Sequence, residues 1–118
     1  MKRRLLFLIE TDPRLSPRPA EAVRIAAGLA PWPKIELLIY LRGPAVGLLS
    51  EAAEDWPDGD HYAQYLPLLA ARHFAFWIQS TVPISGGTTD NPYGFELDPI
   101  DDPQLAARAA TCHALLRF

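Results

Sequence analysis

The chain has 118 residues, 49% of them hydrophobic and 21% charged, with a net charge of −3. This composition suits one globular domain able to bury about two thirds of its unfolded surface. It excludes a disordered or fibrous chain and provides no basic field for nucleic acid or an anionic membrane.

Targeting signals are equally sparse. Lys2, Arg3 and Arg4 precede only the five apolar residues Leu5 to Ile9 before Glu10 and Asp12 intervene, too short a core for a secretory signal. No run nears the about 20 apolar residues of a spanning helix. A cytoplasmic home is therefore expected. Cys112 is the only cysteine, which rules out an internal disulfide.

Leu5–Ile9 is an unbroken apolar run ending in Glu10, Thr11, Asp12 and Pro13, the pattern of a strand covered on both faces. Ser16 and Pro17 then supply a helix cap and a first-turn proline. Ala22, Val23, Ala26, Leu29 and Ala30 recur at helical spacing until Pro31 and Pro33 stop the helix. Ile35–Leu41 is the clearest strand, closed by Arg42, Gly43 and Pro44, and Ala45–Ala53 is expected to form a short helix. Glu51–Asp60 reads as an exposed acidic loop.

Tyr62–Arg72 carries Tyr62, Tyr65, Leu66, Leu69 and Ala70 on one helical side, and His73–Gln79 follows as an aromatic-rich third strand. Ser80–Pro92, with Gly86 and Gly87 near its middle, is expected to be irregular and more mobile than its flanks. Tyr93–Leu97 is a weak fourth strand. Asp101 or Asp102, followed by Pro103, opens a helix running to about Thr111. Ala114–Phe118 either prolongs that helix or forms a fifth strand, the strand being preferred partly on the family resemblance that follows. Alternating strands and helices imply a layered α/β fold, with right-handed crossovers placing helices on both faces of the sheet.

Several segments, in this order, resemble the DsrE-like sulfur-relay family. They are LLFLIETDP at Leu5–Pro13, AAGLA at Ala26–Ala30, IELLIYLRGPAV at Ile35–Val46, QYLPLLAARHFAFWIQ at Gln64–Gln79 and the closing HALLRF. The resemblance implies a flavodoxin-like, three-layer α/β/α domain with a mainly parallel sheet of about five strands. It also implies a homo-oligomer and protein partners of a sulfur-relay type. Sulfur-carrying members hold a persulfide on a cysteine near the end of the third strand. Here that region reads Trp77, Ile78, Gln79, Ser80, Thr81, with no thiol.

Cys112 is left as the sole candidate thiol. Its helical stripe with Leu105 and Ala109 predicts a packed, buried side chain, and the adjacent helix end predicts no help for a thiolate. The alternative is a persulfide carrier using Cys112. Asp58, Asp60 and His61 fall short of a metal-ligand pattern and read as a solvated loop. His73 has the chemistry of a general acid or base, but its place between helix and strand suits a structural, hydrogen-bonded role. Ser80 and Ser85 lack a nucleophile elbow, and neither a Walker loop nor G-x-G-x-x-G occurs, so no cofactor is implied. Trp32 and Trp56 are candidates for a partner surface or for packing against the sheet.

Ligands of open α/β sheets bind beyond the carboxyl ends of the strands. The candidate set there is Thr11, Asp12, Arg42, Gly43, Gln79 and Ser80. Arg42 favours a small anion unless it is paired with Asp12 or Glu51.

Overall fold

The computed structural model describes residues 2–81 and 91–118. Its elements run β1 (Arg3–Ile9), α1 (Arg18–Leu29), β2 (Ile35–Leu41), two 3-10 segments (Gly43–Leu49 and Glu51–Asp55), α2 (Asp60–Ala71), β3 (Ala75–Gln79), β4 (Glu96–Ile100), α3 (Asp102–Ala109) and β5 (Ala114–Arg117). The strands form one sheet in the order β4-β3-β2-β1-β5, and every pairing is parallel.

Strand periodicity divides the core. Side chains alternate between faces, so Phe7, Ile9, Leu37, Ile39, Leu41, Phe76 and Ile78 point one way. They pack with Val23 and Ala26 of α1 and with Tyr62, Leu66 and Leu69 of α2. Leu6, Leu8 and Tyr40 point the other way and meet Leu105 of α3, with Leu38, Trp77 and Ala109 at the margin. Two helices cover one face and a short third covers the other, giving the three layers.

Local chemistry sets the boundaries. Pro17 occupies the N-cap of α1, while Ser16 Oγ accepts the Arg18 N–H at 3.2 Å. α2 starts at Asp60, and its interior Pro67 lacks the N–H that would reach the Ala63 carbonyl. Gly59 precedes it at a point of closest approach: a Cβ there would sit 2.1 Å from the Glu54 carbonyl oxygen. α3 begins with a full capping box, Asp101 accepting from Gln104 N at 2.8 Å and Gln104 Oε1 from Asp101 N at 2.9 Å.

Four expectations need correction. Ala45–Ala53 is not a short α-helix; the region is two 3-10 segments broken at Ser50, whose side chain accepts from Ala52 N. The second of these takes up Glu51–Asp55, the first half of the expected acidic loop, and α2 begins at the loop's last residue, Asp60. β3 starts at Ala75, because His73 turns into the left-handed region at φ 56°. The fourth strand is displaced to Glu96–Ile100, because Asn91 folds residues 91–95 into a turn through bonds to Gly94 N, Phe95 N and the Phe95 carbonyl.

Most of the expected irregular segment Ser80–Pro92, including Ser85, lies outside the described residues. Among those described, no helix is long and apolar enough to cross a membrane.

Candidate functional site

The carboxyl ends of the strands are organised by hydrogen bonds between neighbouring strand exits. As β2 ends, Arg42 N donates to the Ile9 carbonyl at 2.9 Å, and the chain turns at Gly43 with φ +56°. Gly43 N donates to Gln79 Oε1 at 2.9 Å, so the last side chain of β3 ties down the exit of β2. Ser80 N bonds the Ile100 carbonyl at 2.9 Å and prolongs the β3–β4 pairing.

Arg42 reaches sideways. Its Nη2 lies 3.1 Å from Asp102 Oδ1 in the first turn of α3, and its guanidinium carbon sits 5.5 Å from the centre of the Tyr40 ring. Arg42 is therefore paired, but with Asp102 rather than with Asp12 or Glu51. Asp102 is largely exposed, so the pair is screened and leaves part of the guanidinium field available.

Thr11 and Asp12 are drawn toward the other side of β1. Thr11 N and Glu10 N both approach the Phe118 carbonyl, at 3.3 and 3.0 Å. Asp12 accepts from Arg14 through Nη2 at 2.9 Å, Nε at 3.2 Å and the backbone N–H at 2.9 Å. The Arg14 side-chain bond holds the Asp12 carboxyl below its ordinary range, against a smaller opposing effect of burial. The six candidates thus resolve into an Arg42–Gly43–Gln79 cluster joined by Asp102, a Thr11–Asp12 turn tied to β5 and Arg14, and Ser80 held in the sheet.

Sequence reasoning missed Tyr40. It is fully buried beneath Arg42, and its hydroxyl has no hydrogen-bond partner among the described residues. Burial raises its phenol pKa, with Arg42 opposing and Asp102 reinforcing. The available signal was a polar hydroxyl inside the apolar run Ile35–Leu41.

Cys112 lies at the opposite end, because α3 carries the chain back from the strand exits before β5 begins. It is half-buried rather than buried, since α3 ends at Ala109 and Cys112 falls in the turn beyond. It still packs against the Leu6–Tyr40–Leu105 cluster, and its Sγ is 3.5 Å from the Arg108 carbonyl oxygen. His113 gives it no activation: Nδ1 accepts the Arg4 N–H at 2.9 Å.

Among the described residues no three His, Cys, Asp or Glu side chains gather in metal-binding geometry. The His61 ring packs on Tyr65, with centroids 5.8 Å apart. Trp56 lies over Gly47 and joins the main core, whereas Trp32 is exposed.

No protein-family model and no curated protein sequence matches the chain. Among solved structures it is similar to the ychN protein from E. coli, with a TM-score of 0.69 over all of both chains at 18% identity. The fold is DsrE-like. At that identity the likeness concerns backbone architecture, in agreement with the five-stranded parallel sheet and the resemblance of its segments.

Proposed function

We propose that this chain is a DsrE-like protein that carries no persulfide and acts through assembly with copies of itself and through partner binding. One observation supports this most. At the end of β3, Gln79 has a structural duty in holding Gly43 N, and no sulfur stands beside it. A persulfide carrier needs an accessible, stabilised thiolate. Cys112 has a carbonyl oxygen and apolar neighbours instead of a cation.

Assembly is supported by the two unlike edges of the sheet. β4 is blunted by Pro99 and carries Glu96 and Asp98, all devices that resist further pairing. β5 has neither proline nor acid. All four of its residues are exposed, including Leu115 at 45% and Leu116 at 44%. A second copy pairing antiparallel along β5 covers these leucines in a closed two-fold interface. A small anion beside Arg42 remains compatible with such an assembly, with Tyr40 buried beneath as an unpaired hydroxyl.

The test is light scattering at micromolar concentration. The unaltered chain should have a mass that is a multiple of 13.1 kDa. The doubly substituted chain, Leu115→Asp with Leu116→Asp, should remain folded and revert to the monomer. A monomeric unaltered chain, or a multiple that survives both substitutions, would refute assembly through β5.

A further inference from the structure

A concavity lies at the opposite end of the sheet from Arg42, between the end of α2, the start of β3 and the turn into β4. It measures about 440 Å³, within the range of about 300–1,000 Å³ typical of small-molecule sites. Phe74, Tyr93 and Phe95 wall it, with His73 and Glu96 as its charged or polar side chains.

The walls are fixed. Phe95 meets the fully buried Phe76 edge-on, with centroids 4.9 Å apart at 88°, and Phe74 meets the same ring at 5.3 Å. Tyr93 sits 6.1 Å from Phe95, at the crest of the turn that Asn91 braces. A preformed aromatic surface binds without first being ordered.

His73 is unusual for its position. Its N–H bonds the Ala70 carbonyl at 3.0 Å and Phe74 N bonds the Leu69 carbonyl at 3.2 Å, the paired bonds of a Schellman helix end. Glycine generally fills the left-handed position of that motif, yet here an imidazole is carried at φ 56°. The strain is retained at a residue lining the cleft, a pattern associated with functional positions.

Charge indicates the kind of ligand. Glu96 contributes a carboxylate to the wall. Glu54 and Glu51 add negative potential at Tyr93, whose phenol pKa is raised first by burial and then by those two groups. Arg72 adjoins His73 in sequence but is exposed and does not line the cleft. Aromatic faces with nearby carboxylates attract cations and disfavour anions.

We propose that this cleft binds a small organic cation with a flat apolar body, of the arylalkylamine class, its ring against Tyr93 and Phe74 and its ammonium group toward Glu96. It is independent of the β5 interface and of the Arg42 cluster.

The experiment is amide-resolved NMR titration of the full chain with tryptamine, and separately with the similarly shaped anion indole-3-propionate. Tryptamine should shift the amides of residues 73–74 and 93–96 in a saturable manner, and the anion should not. Glu96→Gln keeps the shape and should weaken tryptamine at least about tenfold, the loss expected of one charge-assisted contact. Absence of saturable shifts, equal binding of the anion, or unchanged affinity in a folded Glu96→Gln chain would each overturn the assignment.

Discussion

The side-chain oxygen of Gln79 accepts the backbone N–H of Gly43 over 2.9 Å, joining the exits of β3 and β2. The resemblance to sulfur-relay proteins leads one to look for a thiol in this region, and the side chain found there is a hydrogen-bond acceptor. Its carbonyl satisfies a partly buried donor at a turn where the backbone has already entered the left-handed region.

Gln79→Ala leaves that donor unpaired. The expected loss is about 1–2 kcal/mol of stability, read as a lower urea midpoint at unchanged slope. An unchanged midpoint would mean that the Gly43 turn holds without Gln79.

Gly59→Ala tests packing at the start of α2. Its φ of −58° is ordinary for any residue, so the constraint is space rather than backbone angle. The added methyl would meet Glu54 O at 2.1 Å and Ala53 O at 2.7 Å, both backbone atoms with little freedom to move. A loss of about 3 kcal/mol is expected, enough to remove a large share of the stability of a small domain. Wild-type stability in this variant would show that the Glu51–Asp55 segment shifts easily.

Tyr62 carries a buried hydroxyl with no hydrogen-bond partner among the described residues, and burial pushes its pKa well above the ordinary phenol value, with Asp58 adding to the shift. The unfolded chain ionises this phenol near pH 10, whereas the folded chain holds it neutral. Its contribution is therefore fully present below pH 10 and is lost as pH rises toward the folded pKa. Tyr62→Phe should be neutral or stabilising by up to about 1 kcal/mol at pH 7 and should lessen alkaline unfolding. A marked destabilisation at pH 7 would indicate that the hydroxyl has a partner.

The layers of the fold were legible because they rest on apolar periodicity. Ile35–Leu41 is bounded in the structure as its sequence predicts, and Tyr62, Leu66 and Leu69 all face the core. β4 was misplaced for a physical reason: Pro99 argues against a strand by propensity, yet an edge position tolerates its missing N–H. The aromatic pair Tyr93 and Phe95 suggested a strand where Asn91 instead builds a turn.

The candidate site was less legible because ion pairing between distant segments has no local signature. Arg42 was recognisable as the cation among the strand-end candidates, but its partner Asp102 is sixty positions away and becomes a neighbour only when α3 crosses the sheet. The stripe of Leu105, Ala109 and Cys112 correctly placed the thiol against the smaller core cluster. It overstated the burial, since two turn residues separate Cys112 from the end of α3.

The absence of sulfur carriage is tested most directly by treating the native chain with a persulfide donor and measuring its intact mass. The account predicts no stoichiometric gain of sulfur. It further predicts that Cys112→Ala, at this half-buried position, costs less than about 1 kcal/mol. Cys112→Ser should cost about as little, because at a half-buried position its hydroxyl keeps access to water. A gain of one sulfur per chain, abolished by Cys112→Ala in a protein that remains folded, would contradict the account and make Cys112 the site of a sulfur carrier.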